Sequence, residues 1–72
     1  MNSDTMKGNW RQLTGAVKSK WGKLTDDDLT HIDGERERLA GKIQERYGIA
    51  KDKAESEIKS FEDQQRATDR PR

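Results

Sequence analysis

Apolar side chains recur along this chain at helical intervals and nowhere in strict alternation. Met6, Trp10, Leu13, Val17 and Trp21 follow steps of four, three, four and four, which places them on one face of an α-helix. Gly22 comes next, and a glycine there is expected to close the helix in the left-handed conformation. Thr25-Asp26-Asp27-Asp28 reads as an N-cap followed by an acidic first turn. The hydroxyl accepts an orphan backbone N–H, and the carboxylates face the positive end of the helix dipole. A short second helix then carries Leu29 and Ile32 inward and breaks at Asp33-Gly34. A third carries Leu39, Ile43 and Tyr47 on one stripe and ends at Gly48, and Ala54, Ile58 and Phe61 mark the inner face of a fourth. Beyond Gln64 the apolar pattern stops. Residues 1–64 are therefore expected to form one helical domain, and residues 65–72, with Pro71, a disordered polar tail. With no run of alternating β-branched or aromatic residues, the chain reads as all-α.

The pattern is stated twice. Leu13-x-Gly15-x-Val17-x-x-Lys20-Trp21-Gly22 recurs as Leu39-x-Gly41-x-Ile43-x-x-Arg46-Tyr47-Gly48, and Gly8, Gly15 and Gly22 each have a counterpart 26 positions on, at Gly34, Gly41 and Gly48. A duplicated helix-turn-helix predicts two αα-hairpins related by a pseudo-twofold. Neither hairpin has enough apolar surface alone, so the two must pack on each other. Trp10, Trp21, Tyr47 and Phe61 are the expected anchors, since a covered aromatic buries about 150–250 Å². Gly15 and Gly41 resist this picture. At 100° per residue each lies roughly 160° from its helix's apolar stripe, where a glycine costs about 1 kcal/mol relative to alanine. Either another backbone passes close on that side, or the helices are kept marginal.

Composition narrows the class. Of 72 residues only 28% are hydrophobic and 40% are charged, so the core of this single domain must be thin. Without cysteine there is no disulfide staple and no thiolate for a metal. Met1 to Lys7 lacks the apolar run of a signal peptide, and no stretch approaches the roughly 20 apolar residues of a membrane span. A soluble, cytoplasmic, monomeric protein with no membrane partner is expected. Fifteen basic residues against fourteen acidic leave a net charge of +1 and a pI near 8.0, short of the pI above about 9 of a dedicated nucleic-acid binder. The charges are segregated: Lys7, Arg11, Lys18, Lys20 and Lys23 precede Asp26, Asp27, Asp28, Asp33, Glu35 and Glu37.

Candidate chemistry is sparse. His31, with Asp27 one turn earlier, supplies two potential ligands, which is not a metal site. Asp26-Asp27-Asp28 lacks the alternating ligands, glycine and terminal glutamate of a calcium loop, and capping accounts for the run. Ser3, Ser19, Ser56 and Ser60 have no nucleophile context, no carboxylate pair lies in an apolar setting, and the glycines form no phosphate loop. No catalytic residue, cofactor or metal is predicted, and the chain reads as no enzyme. One binding signal remains. Arg38, Lys42 and Arg46, spaced by four, form a basic ridge beside Tyr47, and Gly48-Ile49-Ala50 followed by Ala54 and Ile58 resembles the turn of a helix-hairpin-helix motif. Such a turn aims backbone N–H groups at a phosphate. Ala50 stands where a second glycine is expected, Asp52 and Glu55 bring negative charge, and Lys42 has Glu45 as a partner three residues on. A solvated charged face is the favoured reading. A nucleic-acid site at Arg38, Lys42, Arg46 and Gly48 is the alternative.

The segments Trp21-Gly22-Lys23-Leu24-Thr25-Asp26-Asp27-Asp28 and Gly41-Lys42-Ile43-Gln44-Glu45-Arg46-Tyr47-Gly48, with Asn9-Trp10, Gly15 and Val17-Lys18, resemble the CsbD-like family of small bacterial stress proteins. The likeness runs from about Lys7 to Phe61 and is nearest the YjbJ-type branch, which keeps an aromatic before each closing glycine. It implies two orthogonally packed helical hairpins similar to SAM-domain-like bundles, and a bacterial protein made in general or osmotic stress. It brings no catalytic or ligand residues. A mean hydropathy of −1.34, six glycines and balanced charge also resemble the hydrophilins, polar proteins thought to shield others during water loss.

Overall fold

A computed structural model describes residues 7–69, and among them every regular element is α-helical. The helices are α1 (Trp10–Lys20), α2 (Asp26–Ile32), α3 (Arg36–Tyr47) and α4 (Lys51–Asp69). Met6, the expected first inward position of α1, lies outside the described residues. Among the described residues these form a four-helix bundle in which α3 packs against both α2 and α4.

The periodic positions form the core. Leu13, Val17, Trp21, Leu29, Ile32, Leu39, Ile43, Ala54, Ile58 and Phe61 are all buried, and Trp10 lies at their edge with 8% exposed. Leu24 and Ala40, outside the expected stripes, are buried with them. The two tryptophans tie α1 to the rest in different directions. The Trp10 indole N–H donates to the Leu29 carbonyl of α2 at 3.2 Å. Trp21, at the other end, donates to Glu57 Oε1 of α4 at 3.0 Å and sets its ring 5.2 Å from that of Phe61 at a tilt of 55°. Such tilted pairing adds roughly 1 kcal/mol to the area buried. Tyr47 is half-buried rather than central. Its ring lies 5.1 Å below the Lys23 ammonium and its hydroxyl accepts the Lys23 backbone N–H at 3.1 Å, so it pins the α1–α2 loop.

Helix ends follow the sequence in three places and depart from it in two. α2 starts at the Thr25 cap, and it closes through Asp33 and Gly34, both left-handed at φ +47° and +79°. α3 ends at Gly48, left-handed at φ +64°, with its N–H on the Gln44 carbonyl at 2.8 Å. α1 does not end this way. Gly22 is not left-handed; the helix stops at Lys20, and Trp21, at φ −117°, makes the last contact to the Val17 carbonyl. Seating the Trp21 indole against Phe61 and burying Leu24 takes the chain out of the helix before the glycine is reached, through a turn closed by the Leu24 N–H on the Trp21 carbonyl. The second departure is at the far end. α4 runs to Asp69, five residues into the segment expected to be a disordered tail. Gln64, Gln65, Arg66 and Ala67 are good helix formers, and a helix already nucleated by its packed turns extends through them without an apolar face.

The glycines divide sharply. A Cβ at Gly15 or Gly41 would meet nothing within 4 Å, which overturns the idea that a second backbone passes close to them. A Cβ at Gly34 would stand 2.7 Å from the Lys7 Cα, a backbone atom that cannot swing aside, and its φ already disfavours a side chain. Gly15→Ala and Gly41→Ala are therefore expected to stabilise the protein by up to about 1 kcal/mol each, whereas Gly34→Ala destabilises it by more than that. Urea denaturation of the three variants checks the opposite signs.

Glu62 is the second feature absent from the periodic reading. The residue is 4% exposed, on the inner side of α4, with Oε2 3.4 Å from Arg36 Nε. That oxygen accepts no hydrogen bond within the described residues. No described helix is long and apolar enough to cross a membrane.

Candidate functional site

The most organised polar constellation lies at the start of α2. Thr25, extended at φ −95° and ψ 169°, places its hydroxyl over the first turn, where Oγ1 accepts the Asp28 N–H at 3.1 Å. Asp28 Oδ2 reaches back to accept the Thr25 N–H at 3.0 Å, completing a capping box. Of the three adjacent aspartates only Asp28 is buried, with 4% of its surface exposed. Its position three residues after the cap turns it inward toward α3.

There it meets the basic ridge. Arg46 forks onto the carboxylate, Nε to Oδ2 and Nη2 to Oδ1, both at 2.9 Å. This planar two-bond arrangement suits guanidinium and carboxylate, and a lysine cannot reproduce it. Lys42 Nζ lies 3.6 Å from Asp28 Oδ1 and 3.7 Å from Glu45 Oε1. The Arg46 guanidinium, then the Thr25 N–H, hold the Asp28 carboxyl well below the usual carboxylate range, against the opposing effect of burial. The same contact raises Arg46. Two turns toward the other end of α3, Arg38 Nη1 donates to the His31 carbonyl at 3.2 Å, in the last turn of α2. A cation there also faces the negative end of the α2 dipole. The ridge thus grips both ends of α2.

The structure brings Arg38, Lys42 and Arg46 onto one face, as their spacing requires, and engages each within the molecule. Gly48 caps α3 with its N–H on Gln44, the group that a phosphate-binding turn would direct outward. The expected Lys42–Glu45 pair is present, but the stronger partner of the ridge is Asp28, 18 positions earlier than Arg46. Sequence reasoning treated Asp28 as one of three equivalent first-turn acids. The spacing Thr25-x-x-Asp28 was the available signal, because it matches the capping box. Nothing local in the sequence indicates Arg46 as its partner. His31 is exposed, and no group of three or more His, Cys, Asp or Glu among the described residues can hold a metal ion. A second, exposed pair, Lys7 Nζ to Glu35 Oε1 at 2.9 Å, raises the lysine and lowers the glutamate through their mutual contact.

The described residues present a charged, capped helical bundle whose basic ridge is engaged within the molecule. Residues 4–56 match the CsbD-like family, and the chain belongs to that family. It is 59% identical over 63 residues to the UPF0337 protein PA4738 of Pseudomonas aeruginosa, covering 88% of this chain and 97% of that one. It is 60% identical over 62 residues to the UPF0337 protein YjbJ of Escherichia coli K12, covering 86% and 90% respectively. A third relative, the UPF0337 protein ECA0631 of Pectobacterium atrosepticum, is 59% identical over 63 residues, covering 88% and 91%. The chain is a non-enzymatic general-stress-response protein of this family.

Proposed function

We propose that the protein works as a monomeric cytoplasmic protectant, a hydrated spacer between other macromolecules when water or solute balance fails. One observation carries this reading: among the described residues no large hydrophobic side chain is exposed, on a chain that is 40% charged with a net charge of +1. Such a surface binds water densely, repels at contact and offers no apolar patch for tight capture of a partner. The ion pairs support it. Lys7–Glu35, Lys18–Asp26, Lys42–Glu45 and Arg46–Asp28 pair opposite charges around the bundle, so no large single-sign field builds up. The fold within this reading is two αα-hairpins packed across a pseudo-twofold, in the manner of SAM-domain-like bundles. It is supported by the 26-residue repeat and by Trp21 and Tyr47, the matching aromatics of the two copies, flanking one loop.

The test is protection of a labile enzyme through drying or freezing. Recovered activity is expected to exceed that given by an equal mass of an inert globular control. The benefit should persist when exposed charges are shuffled at constant composition, because hydration and not pairwise recognition is responsible. Recovery equal to that of the control overturns the reading.

A further inference from the structure

The two ends of the α1–α2 pair are closed and its middle is open. Lys18 Nζ meets Asp26 Oδ1 at 2.8 Å at one end and Lys7 Nζ meets Glu35 Oε1 at 2.9 Å at the other, so the helices run antiparallel. Between these clasps lies a groove of about 570 Å³. Trp10 and Leu29, joined by the indole N–H to carbonyl bond, line its base. Lys7, Arg11 and Thr14, from α1 and the residues just before it, form one wall, and Asp26, Thr30 and Asp33, from α2 and its C-cap, the other.

The polar groups in the groove are unevenly engaged. Lys7 and Asp26 are held by the clasps. The Arg11 guanidinium and the Asp33 carboxylate have no ion pair or side-chain hydrogen bond among the described residues. Thr14 Oγ1 donates to the Arg11 carbonyl at 3.0 Å and Thr30 Oγ1 to the Asp26 carbonyl at 3.1 Å. Both hydroxyl protons are therefore turned into their own helices, leaving the oxygens as acceptors. Asp33 also lines the groove, and its charge helps to keep the Lys7 ammonium protonated. Arg11 follows Lys7 by four residues on the same wall of the groove. The groove thus carries, on opposite walls, a cation and an anion that no ion pair or side-chain hydrogen bond holds, over an indole and a leucine.

We propose that this groove binds a small zwitterion, with its carboxylate on Arg11, its ammonium on Asp33 and the Thr30 hydroxyl oxygen, and its methylenes across Trp10 and Leu29. A simple anion meets Asp33 and Asp26 on the opposite wall, a simple cation meets Arg11 and Lys7, and an uncharged ligand leaves both free charges desolvated without a partner. Only a dipolar ligand satisfies both walls. The charges are partly exposed, so affinity is modest and falls with salt.

The probe is ε-aminocaproate, titrated at low ionic strength into the full ¹⁵N-labelled chain and followed by amide and indole resonances. The Trp10 indole N–H and the Leu29 and Thr30 amides are expected to move in a saturable way, while the Trp21 indole N–H stays in place. Caproate and hexylammonium, each carrying one charge, are expected to bind at least about fivefold more weakly at matched ionic strength, the loss of one such contact. Arg11→Gln and Asp33→Asn should each weaken binding by a similar factor. Neither threatens the fold, since glutamine suits a helix and asparagine tolerates the left-handed backbone at position 33. Binding by a peptide with a free C-terminal lysine, but not by its amide, assigns the ligand to a chain terminus; binding by ε-aminocaproate alone assigns a free solute. A stationary Trp10 indole, equal shifts with the one-charge probes, or unchanged binding in both variants overturns the proposal.

Discussion

Trp21→Ala is expected to remove about 3–5 kcal/mol of folding free energy, the range for truncating a buried aromatic. At about 0.1 kcal/mol per residue, a chain of 72 residues holds about 7 kcal/mol in total, so the variant sits close to unfolding. The magnitude follows from position. Trp21 is 2% exposed, contacts the Phe61 ring, and donates its indole N–H to Glu57, so one side chain joins the end of α1 to the middle of α4. Its removal leaves a cavity in a core with little apolar material to collapse into it. Trp21→Phe keeps a ring beside Phe61 and loses only the bond to Glu57 and part of the volume, so it should cost less than half as much. Urea unfolding followed by far-UV circular dichroism measures both. A loss below about 1.5 kcal/mol for Trp21→Ala would mean that α1 and α4 are held together elsewhere.

Asp28→Ala is expected to lower the melting temperature by more than Thr25→Ala, although both break the capping box. Thr25→Ala removes one cap, a change of about 1 kcal/mol. Asp28→Ala also strips the fork partner from Arg46 and the nearer anion from Lys42, leaving α2 unclasped from α3. In a double-mutant cycle, Asp28→Ala and Arg46→Ala should be clearly less than additive, which sets this pair apart from the exposed Lys7–Glu35 pair.

The pH dependence has a definite sign. The Asp28 carboxyl is lower in the folded than in the unfolded chain, so the unfolded state takes up protons first as the solution is acidified. Its stabilisation is complete above the ordinary carboxylate range and is lost as pH falls through that range toward the depressed folded value. Glu35, lowered by Lys7, acts in the same direction but at an exposed site, where screening makes it minor. Acid sensitivity is therefore expected to be smaller in Asp28→Asn, whose stability should change less between neutral pH and pH about 3 than that of the parent protein. Equal acid sensitivity of the two would place the titrating group elsewhere.

Local chemistry explains why much of the fold was legible. The steps of three and four that place Leu13, Val17, Leu39, Ile43, Ala54, Ile58 and Phe61 inward are properties of one helix at a time, and all seven are buried. The Thr25 cap and the Gly48 closure likewise depend on groups within a few residues. Gly22 shows the limit of that logic. Its sequence context matches Gly48, yet the packing of Trp21 ends α1 before it. The ridge shows the same limit from the other side: its spacing was readable, but the partner that engages Arg46 was not.

By itself, the sequence determined the helices, their inward faces, the absence of catalytic patterning and the likeness to the CsbD-like family. Each of these follows from short-range periodicity or from residue identity. Only the tertiary structure decided that Asp28, and not its two acidic neighbours, is the anchor for Arg46, that Trp21 reaches Glu57 across 36 positions, and that Gly34 has no room for a side chain while Gly15 and Gly41 stand in open space. A helical repeat specifies which side of a segment turns inward but not which segment it meets. That choice is made when all four helices pack at once, and it determines which charges are satisfied inside the molecule and which, like Arg11 and Asp33, remain available to a ligand.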